Sequence, residues 1–396
     1  MTHPIREALS ERRASEGRAV AGQTLRAIND GIGRVWDLGR NNVVAWRPAK
    51  DCIEVLVAPS YIVLDHAGRH ERITRGNRFM GPGSFAAVSR LLGIDPQRIV
   101  LEGNVGTGRG EIPWQRVEEV IRRYAISQTL NRAVILFDIV EFSLRSPVEQ
   151  VAQLNSLEVS INVAHRCMRQ LRMPIDLARS STGEGYYVWN RNKGVEADLN
   201  LNFLLMLILA DNAIARERGN PALVPELRSC FTVGSHFSFY QVEGLIRGGG
   251  DYIVGDATIE LARLSAETMP GQILFGDFSR PAPGPDETLD APAYMEHVQH
   301  SLDNMRGADL NAGRIDNIRC YFTGAPAAGD QFLINKYDVI DKHGLRHTAY
   351  NAKMNIYRGE EKPIFLGART EDLAGFGASE RFEAIRSAPA PWDVRS

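Results

Sequence analysis

The sequence predicts an α+β fold, and three observations carry that prediction. The run AVILFDIV at 133–140 is apolar and rich in β-branched residues, which indicates a buried strand. Pro147 stands where the first turn of a helix favours proline, and a long helix is predicted from there to Leu171. Two strand-like segments then flank Glu184 and its neighbouring glycines, which indicates a β-hairpin. Helices and strands alternate beyond it, as in a sheet with helices packed on it.

Further helices and strands are predicted after the hairpin from the periodicity of the apolar residues. The predicted elements are helices over 199–218, 256–267 and 294–305 and strands over 230–242, 252–254 and 271–276. The run FLLMLILA at 203–210 is far shorter than the ~20 residues that span a bilayer, so a buried helix is predicted. The Pro-rich segment 280–293 is predicted to be a surface loop. A last hairpin is expected around a polar turn that contains His343, with His347 in the same hairpin, and residues from about 368 are expected to be loosely structured.

The N-terminal part is predicted to be a separate α+β domain over residues 1–130. Its first 30 residues are expected to be helical, and the runs IEVLVA and YIVLDHAG within 43–79 are predicted to be strands. Two helices are predicted next, one from an N-cap at Ser84 to Leu92 and one over 114–124, where Val117, Val120, Ile121 and Tyr124 share a face. The other predicted domains span 131–325 and 326–396, and the last comprises the hairpin and tail.

Composition restricts the partners and the compartment. With 396 residues the chain is too long for one ordinary domain. The 46 Lys and Arg residues nearly balance 48 Asp and Glu residues, which argues against DNA as a partner. The four cysteines lie far apart with no CxxC pair, which argues against a zinc site or a disulfide framework. The N-terminus lacks an apolar signal segment, so a cytoplasmic protein without a membrane partner is expected.

Asp138 and Glu184 are the residues whose placement suggests chemistry. Asp138 stands near the end of the apolar strand, beside a loop that could turn its backbone toward phosphate. Magnesium prefers oxygen ligands and usually shares them between one or two carboxylates and substrate phosphates. Glu184, between two glycines that keep side-chain bulk away, could supply the second carboxylate. From the residues alone, Asp138 could equally be a carboxylate that caps the loop, and an ordinary acidic turn is the more common reading of Glu184.

Four segments, taken together, resemble a known family. LFDIVEFS, SSTGEGYYVW, DYIVGDATIELARL and GQILFGD occur in this order over 133–280. They resemble the F-x-D-I-x-G-F-[ST] motif, the K-x-x-G-D-x hairpin, the D-x-x-G-x-x-V-N-x-A-x-R-L stretch and the following strand of class III adenylyl and guanylyl cyclases. The resemblance implies a cyclase-type antiparallel-rich sheet flanked by helices, with residues 131–325 as the catalytic domain.

The resemblance also implies the site residues and the cofactors. Asp138 and Glu184, with the Ile139 carbonyl, would hold two divalent metal ions, Mn²⁺ or Mg²⁺. Arg263 falls on the arginine that neutralises charge on the α-phosphate in the transition state, a role that suits the permanent charge of a guanidinium. A nucleoside triphosphate is the implied substrate. A head-to-tail homodimer with active sites at the subunit interface is the implied assembly.

The sequence departs from the family pattern at several positions. Glu141 replaces the glycine of the first motif, and Glu184 is one methylene longer than the family's Asp. The ribose-orienting Asn falls on Ile259, which cannot hydrogen-bond through its side chain, so Thr258 or another residue would have to substitute. Because of these departures, a catalytically inactive cyclase-homology module with a regulatory role stays an alternative.

The two base-reading positions depart as well. Ser180 and Tyr252 stand where adenylyl cyclases have Lys and Asp, so the donor and acceptor for adenine are lost. Tyr252 is bulkier than Asp and would narrow the base pocket. In this respect the chain resembles the bacterial pyrimidine cyclases of the Pycsar anti-phage systems. We therefore expect a UTP or CTP cyclase, with UTP slightly favoured, that makes a second messenger for antiviral defence; an adenylate or guanylate cyclase is the alternative.

Overall fold

The computed structural model describes residues 21–37, 39–67, 70–101, 105–106, 112–240, 251–282, 287–310, 313–326, 332–373 and 377–383. Their contacts divide the chain into two compact units. The first contains the described residues up to Thr129 together with 237–240 and 251–253. The second contains the described residues of 130–236 and those from Val254 onward. The domain boundaries at 130 and 325 stay predictions.

The first unit is built on a small antiparallel sheet with the strand order β1-β2-β3. Its strands are β1 (Asn41–Ala49), β2 (Cys52–Pro59) and β3 (Gln97–Val100). Its helices are α1 (21–33), α2 (Ser60–Ala67), α3 (Glu71–Thr74), α4 (Pro82–Leu92) and α5 (Trp114–Ile121). The predicted helix over 114–124 is confirmed, since α5 continues as a 3₁₀ turn to Tyr124 and its four predicted face residues are buried.

Two predictions in this unit are wrong. Residues 61–67 of the run YIVLDHAG lie in α2 rather than in a strand: Val63 is buried while Tyr61 and Leu64 stay exposed, so burial follows a helical period. Helix α4 begins at Pro82 with Gly81 as its N-cap, two residues before the predicted start at Ser84. Proline suits this first turn because its missing N–H would have no intrahelical partner there. Predicted helical residues 1–20 lie outside the described part of the chain.

The second unit contains most of a large mixed sheet. In the described part of the chain this sheet has 12 strands. Eight of them are neighbours in the order β15-β16-β17-β9-β7-β4-β6-β5. The other four also pair with strands of this series: β14 and β18 with β17, β19 with β16, and β8 with β7. The strands are β4 (Ser127–Ile139), β5 (Leu177–Ser181), β6 (Gly185–Asn190), β7 (Leu227–Tyr240), β8 (Asp251–Val254), β9 (Ile273–Gly276), β14 (Asn317–Phe322), β15 (Gly324–Pro326), β16 (Phe332–Ile340), β17 (Arg346–Arg358), β18 (Glu361–Leu366) and β19 (Gly377–Glu383). Strands β7 and β9 pair in parallel, whereas the pairings of β17 with β9, β14, β16 and β18 are antiparallel. The predicted α+β fold, an antiparallel-rich sheet flanked by helices, is confirmed.

Four helices complete this unit, namely α6 (Pro147–Gln170), α7 (Val195–Arg218), α8 (Asp256–Glu267) and α9 (Ala291–Ser301). Helix α6 begins as predicted at Pro147, and a capping box fixes its start: the Ser146 hydroxyl accepts the Glu149 N–H, and the Glu149 carboxylate accepts the Ser146 N–H. Within the described residues, α7 has the length and composition of a membrane span, but 94% of its apolar window is buried inside the protein. The prediction of a buried helix is therefore confirmed.

The C-terminal half holds more structure than the sequence indicates. Within the predicted loop over 280–293, strands β10 (Ser279–Pro281) and β11 (Thr288–Asp290) pair, and α9 begins at Ala291, where the Asp290 carboxylate accepts the Ala293 N–H. A further small pair joins β12 (Asp309–Leu310) to β13 (Gly313–Arg314). The predicted hairpin is confirmed as β16 and β17, but β19 pairs with β16 where a loosely structured tail was expected. The last two residues of the strand predicted over 230–242 lie outside the described part of the chain.

Buried polar contacts of Asp198 fix β4 against its neighbours. The Asp198 carboxylate, 2% exposed, accepts the backbone N–H of Ala133 at 2.8 Å and forms an ion pair with Arg280. The Tyr294 hydroxyl donates to the Asp198 carbonyl oxygen at 2.8 Å, and burial raises the pKa of that phenol, so it remains a donor. One residue of α7 thus ties together β4, β10 and α9. Breaking such a pair leaves a buried charge unpaired, so β4 is held firmly at this end.

Candidate active site

The pairing of β4 with β6 brings three of the predicted site residues together. Asp138 lies directly opposite Gly185, and the Ile139 N–H donates to the Glu184 carbonyl oxygen at 3.0 Å. The Asp138 side chain is 22% exposed, and Glu184 is exposed at the tip of the β5–β6 hairpin. Both carboxylates therefore stand at the same end of the same strand pair, and both are accessible from solvent.

Gly185 is the residue that permits this close pairing. A Cβ atom at Gly185 would lie 1.9 Å from the Phe137 carbonyl oxygen, a distance that real Cβ atoms do not reach. The neighbouring Gly183 has a φ of +96°, a backbone conformation that side chains disfavour. Gly183 therefore permits the tight turn and Gly185 permits the close contact with β4, and Glu184 lies between them.

Arg228 is a site residue that the sequence analysis missed. It lies on β7, next to β4 in the sheet, and its Nη1 is 3.0 Å from Asp138 Oδ2. Its side chain is 29% exposed. The strand predicted from Cys230 begins three residues earlier, at Leu227, and strand order could not be deduced from local patterns. Arg228 supplies a permanent positive charge at the carboxylate site.

The turn after β4 explains one departure from the resembled motif. Glu141, which replaces the motif's glycine, has φ 54° and ψ 28°, a left-handed conformation. The turn is fixed on both sides, since the Val140 N–H donates to Glu226 O and the Leu144 N–H donates to Glu141 O. The Glu141 carboxylate extends to Arg145 at 3.4 Å on an exposed surface. This position therefore keeps the backbone shape that favours glycine while carrying an acidic side chain.

Ser180 belongs to the same sheet face as Asp138. It lies half-buried on β5 opposite Tyr187, and Tyr187 in turn lies opposite Leu136, two residues before Asp138. Because side chains alternate along a strand, these residues share one face. The Tyr187 hydroxyl donates to the Thr258 carbonyl oxygen at 3.0 Å, and burial raises the pKa of Tyr187, so the phenol stays protonated. This contact ties β6 to the first turn of α8.

The other base-reading position and the ribose-orienting position lie around β8 and α8. Tyr252 is half-buried in β8 and belongs to the first unit. Ile259 on α8 is 48% exposed. The Thr258 hydroxyl, proposed as its substitute, is 7% exposed and bonds to both backbone groups of Gly255. Thr258 is therefore used to cap α8, which argues against it as a ribose ligand.

Arg263 lies on α8 in contact with the C-terminal hairpin rather than with the carboxylates. Its Nε is 3.5 Å from Asp341 Oδ2, and its Nη1 is 3.4 Å from His347 Nε2. Its side chain is 34% exposed. None of the contacts among the described residues joins Arg263 to Asp138 or Glu184. A single chain thus assembles the carboxylate site and Arg263 as two separate clusters.

The carboxylate site has the chemistry that a hard divalent cation requires. Asp138, Glu184 and the Ile139 carbonyl offer only oxygen ligands, and the described residues contain no group of three or more His, Cys, Asp or Glu side chains that could enclose a metal. Magnesium and manganese sites of this kind complete their coordination with phosphates and water. The residues present therefore fit an ion that is shared with a substrate and do not fit a closed structural metal site.

Comparisons with known proteins give similar solved structures only. No family model and no curated protein matches the chain. The guanylate cyclase domain of RhGC from Catenaria anguillulae, solved in complex with GTP, is 13% identical, with 59% of this chain and 98% of that chain covered and a TM-score of 0.33. The adenylyl cyclase CyaB from P. aeruginosa is 11% identical, with 59% and 98% covered and a TM-score of 0.34. A bacterial light-regulated adenylyl cyclase is 13% identical, with 41% and 88% covered and a TM-score of 0.28. These neighbours are catalytic domains of class III cyclases, at low identity and over part of the chain.

The strained turn yields a prediction about stability. Glu141→Gly should raise the free energy of unfolding by about 0.5–1 kcal/mol, because relief of left-handed strain exceeds the entropy that glycine adds to the unfolded chain. Glu141→Gln is the matched control and should change stability by less than about 0.5 kcal/mol, since the exposed pair with Arg145 contributes little. Urea unfolding measures both variants. A glycine variant less stable than the wild type would contradict the assigned backbone conformation.

Proposed function

We propose that this chain is a metal-dependent nucleotide cyclase that converts a nucleoside triphosphate to the 3′,5′-cyclic nucleotide and pyrophosphate. The observation that carries the proposal is the register of β4 with β6, which sets Asp138 opposite Gly185 with Glu184 beside it. This register unites two of the motifs through which the sequence resembles class III cyclases. We propose UTP, or else CTP, as the substrate, and a second messenger of antiviral defence as the product.

The carboxylate cluster would bind the triphosphate end of the substrate. Asp138 and Glu184, with the Ile139 carbonyl, would hold the two divalent ions, which supply charge neutralisation and lower the pKa of the attacking 3′-hydroxyl. Arg228, 3.0 Å from Asp138, adds a permanent cation to the same edge of the sheet and can contact phosphate oxygens. Glu184 is exposed and has no side-chain partner among the described residues, so it is available as a ligand.

Arg263 would stabilise charge on the α-phosphate as the bond to pyrophosphate breaks. Its contacts with the hairpin involve Nε and Nη1, while Nη2 makes no hydrogen bond to the described residues. A guanidinium held at two of its nitrogens can still donate from the third, and an oriented donor stabilises developing charge more effectively than a mobile one. Because Arg263 makes no described contact with the carboxylate cluster of its own chain, a head-to-tail homodimer fits the proposal: the partner's Arg263 would face this chain's Asp138.

One observation favours the alternative of an inactive, regulatory cyclase-homology module. Ile259 is exposed but has no polar group, and the hydroxyl of Thr258 is committed to the cap of α8. No ribose donor is therefore available at these two positions. Incubation of the purified protein with ATP, GTP, CTP and UTP in the presence of manganese distinguishes the alternatives, since a cyclase releases pyrophosphate and one cyclic nucleotide.

The first functional prediction concerns the two carboxylates. Asp138→Ala and Glu184→Ala should each lower cyclic nucleotide formation by at least about a hundredfold, because the ions lose an anchoring ligand. Glu184→Asp keeps the charge and should retain activity. Asp303→Ala, at an exposed acid of the same unit, is the control and should match the wild type. The measurement is the rate of cyclic nucleotide formation by each variant, without divalent ions and with added manganese. Substantial activity of Asp138→Ala would refute the assignment of Asp138 as a metal ligand.

The second functional prediction concerns the dimer. Asp138→Ala and Arg263→Ala should each be inactive alone, whereas their mixture should regain up to about a quarter of wild-type activity. Random exchange makes about half of the dimers heterodimers, and each heterodimer keeps one complete site of two. Native mass spectrometry confirms that subunits exchange. If heterodimers form and activity stays absent, Arg263 and Asp138 do not act across an interface.

The third functional prediction concerns the base. If Tyr252 narrows the pocket, purines should be disfavoured by ~1–3 kcal/mol, which is roughly tenfold to a hundredfold in kcat/KM. Tyr252→Ala should raise kcat/KM for ATP and GTP, while Tyr252→Phe, which keeps the ring, should still exclude them. Steady-state kinetics with all four triphosphates measures the effect. A wild-type preference for ATP or GTP would reject the pyrimidine proposal and leave the cyclase proposal standing.

A further inference from the structure

A second polar cluster joins α8 to the β16–β17 hairpin, apart from the carboxylate site. It comprises Glu260 and Arg263 on α8, Asp341 in the turn and His347 on β17. His347 Nδ1 is 2.7 Å from Glu260 Oε2, and His347 Nε2 is 3.4 Å from Asp341 Oδ2. Arg263 contacts both Asp341 and His347. The cluster thus contains one guanidinium, one imidazole and two carboxylates.

Asp341 is a fixed anion at the centre of this cluster. Its side chain is only 3% exposed, and its Oδ1 accepts the backbone N–H groups of His343 and Leu345, both at 2.9 Å. Burial opposes ionisation, but these two N–H groups, His347 and Arg263 together lower the pKa of Asp341, so it is charged at neutral pH. The other oxygen, Oδ2, is the one directed at Arg263. The turn therefore presents a buried carboxylate oxygen to the helix arginine.

His347 completes the support for the guanidinium. Its Nδ1 must donate to Glu260, because a carboxylate can only accept. Its other ring nitrogen, Nε2, lies 3.4 Å from both Arg263 Nη1 and Asp341 Oδ2, so the imidazole contacts all three neighbours. The side chain of His347 is 9% exposed, so its orientation is also held by packing. Asp341 and His347 together contact two of the three guanidinium nitrogens of Arg263, Nε and Nη1.

We propose that Asp341 and His347 are positioning residues for Arg263, which deepens and rests on the proposed cyclase function. They hold Nε and Nη1 of the guanidinium and leave Nη2 to a substrate phosphate oxygen. An arginine side chain carries several rotatable bonds, so a free one would visit the productive geometry only part of the time. The C-terminal hairpin, which lies outside the stretch of motif resemblance, thereby contributes to the transition state without touching the substrate.

Asp341→Asn is the direct test, because it retains Oδ1 for the turn and replaces the charged oxygen that faces Arg263. It should lower kcat about tenfold or more with KM changed less than about twofold, since misplacement of a transition-state group costs rate rather than binding. His347→Gln, which leaves the turn bonds of Asp341 in place, should give the same kcat-specific loss. His343→Gln, whose exposed side chain has no role in the cluster, is the control and should match the wild type.

A double-mutant cycle separates positioning from stability. In an Arg263→Ala background, Asp341→Asn should lower kcat by less than about twofold, because there is no guanidinium left to hold. An equal loss in both backgrounds, or an active wild type whose kcat Asp341→Asn leaves unchanged, overturns the positioning role alone. A wild type that makes no cyclic nucleotide from any triphosphate overturns the proposed function and this inference with it.

Discussion

The register of β4 against β6 is the constraint on which the rest of the candidate site depends. It exists only because residue 185 is glycine: a Cβ there would lie 1.9 Å from the Phe137 carbonyl oxygen, so any side chain would push the strands apart. The same register places Asp138 at the strand end and lets the Ile139 N–H donate to the Glu184 carbonyl oxygen. A single backbone contact therefore fixes the positions of Asp138 and Glu184 on adjoining parts of the sheet.

The scaffold around this register is stiff where β4 begins and strained where it ends. Asp198 anchors the early part of the strand through buried bonds to Ala133 and Arg280, which are costly to break. At the far end, Glu141 adopts a left-handed conformation next to the site. Strain persists where the surrounding structure enforces it, and such strain clusters at functional sites. The ion pair with Arg228 places a cation beside the Asp138 carboxylate at this end.

Local sequence patterns predicted the elements that carry the motifs but not their partners. The strand with Asp138, the glycine-flanked hairpin and helix α8 each have a clear period and clear turn residues, and each lies where expected. Helix α2 was mistaken for a strand because a short apolar run fits both periods. The strands at 279–281 and 377–383 were not predicted because pairing with other chain segments, rather than composition, stabilises them.

Contacts between distant residues explain what the sequence could not reveal about the site. Arg228 contacts Asp138, which is 90 residues away in the sequence, and His347 contacts Arg263, which is 84 residues away. Ser180 shares the face of Asp138 only through the register of three strands, whereas the roles assigned to Ser180 and Tyr252 in base selection remain predictions. A motif fixes which residues are candidates, and the strand order then decides which of them can act together.

In the proposed site, Asp138 and Glu184 bind metal together with a nucleotide. A crystal structure with Mn²⁺ and a non-hydrolysable UTP analogue, measured at the manganese absorption edge, tests this binding. We expect anomalous density within about 2.5 Å of oxygens from both carboxylates, a range typical of hard divalent cations, with Arg228 displaced from Asp138. Manganese density elsewhere, with the Arg228–Asp138 ion pair intact beside bound nucleotide, would contradict it.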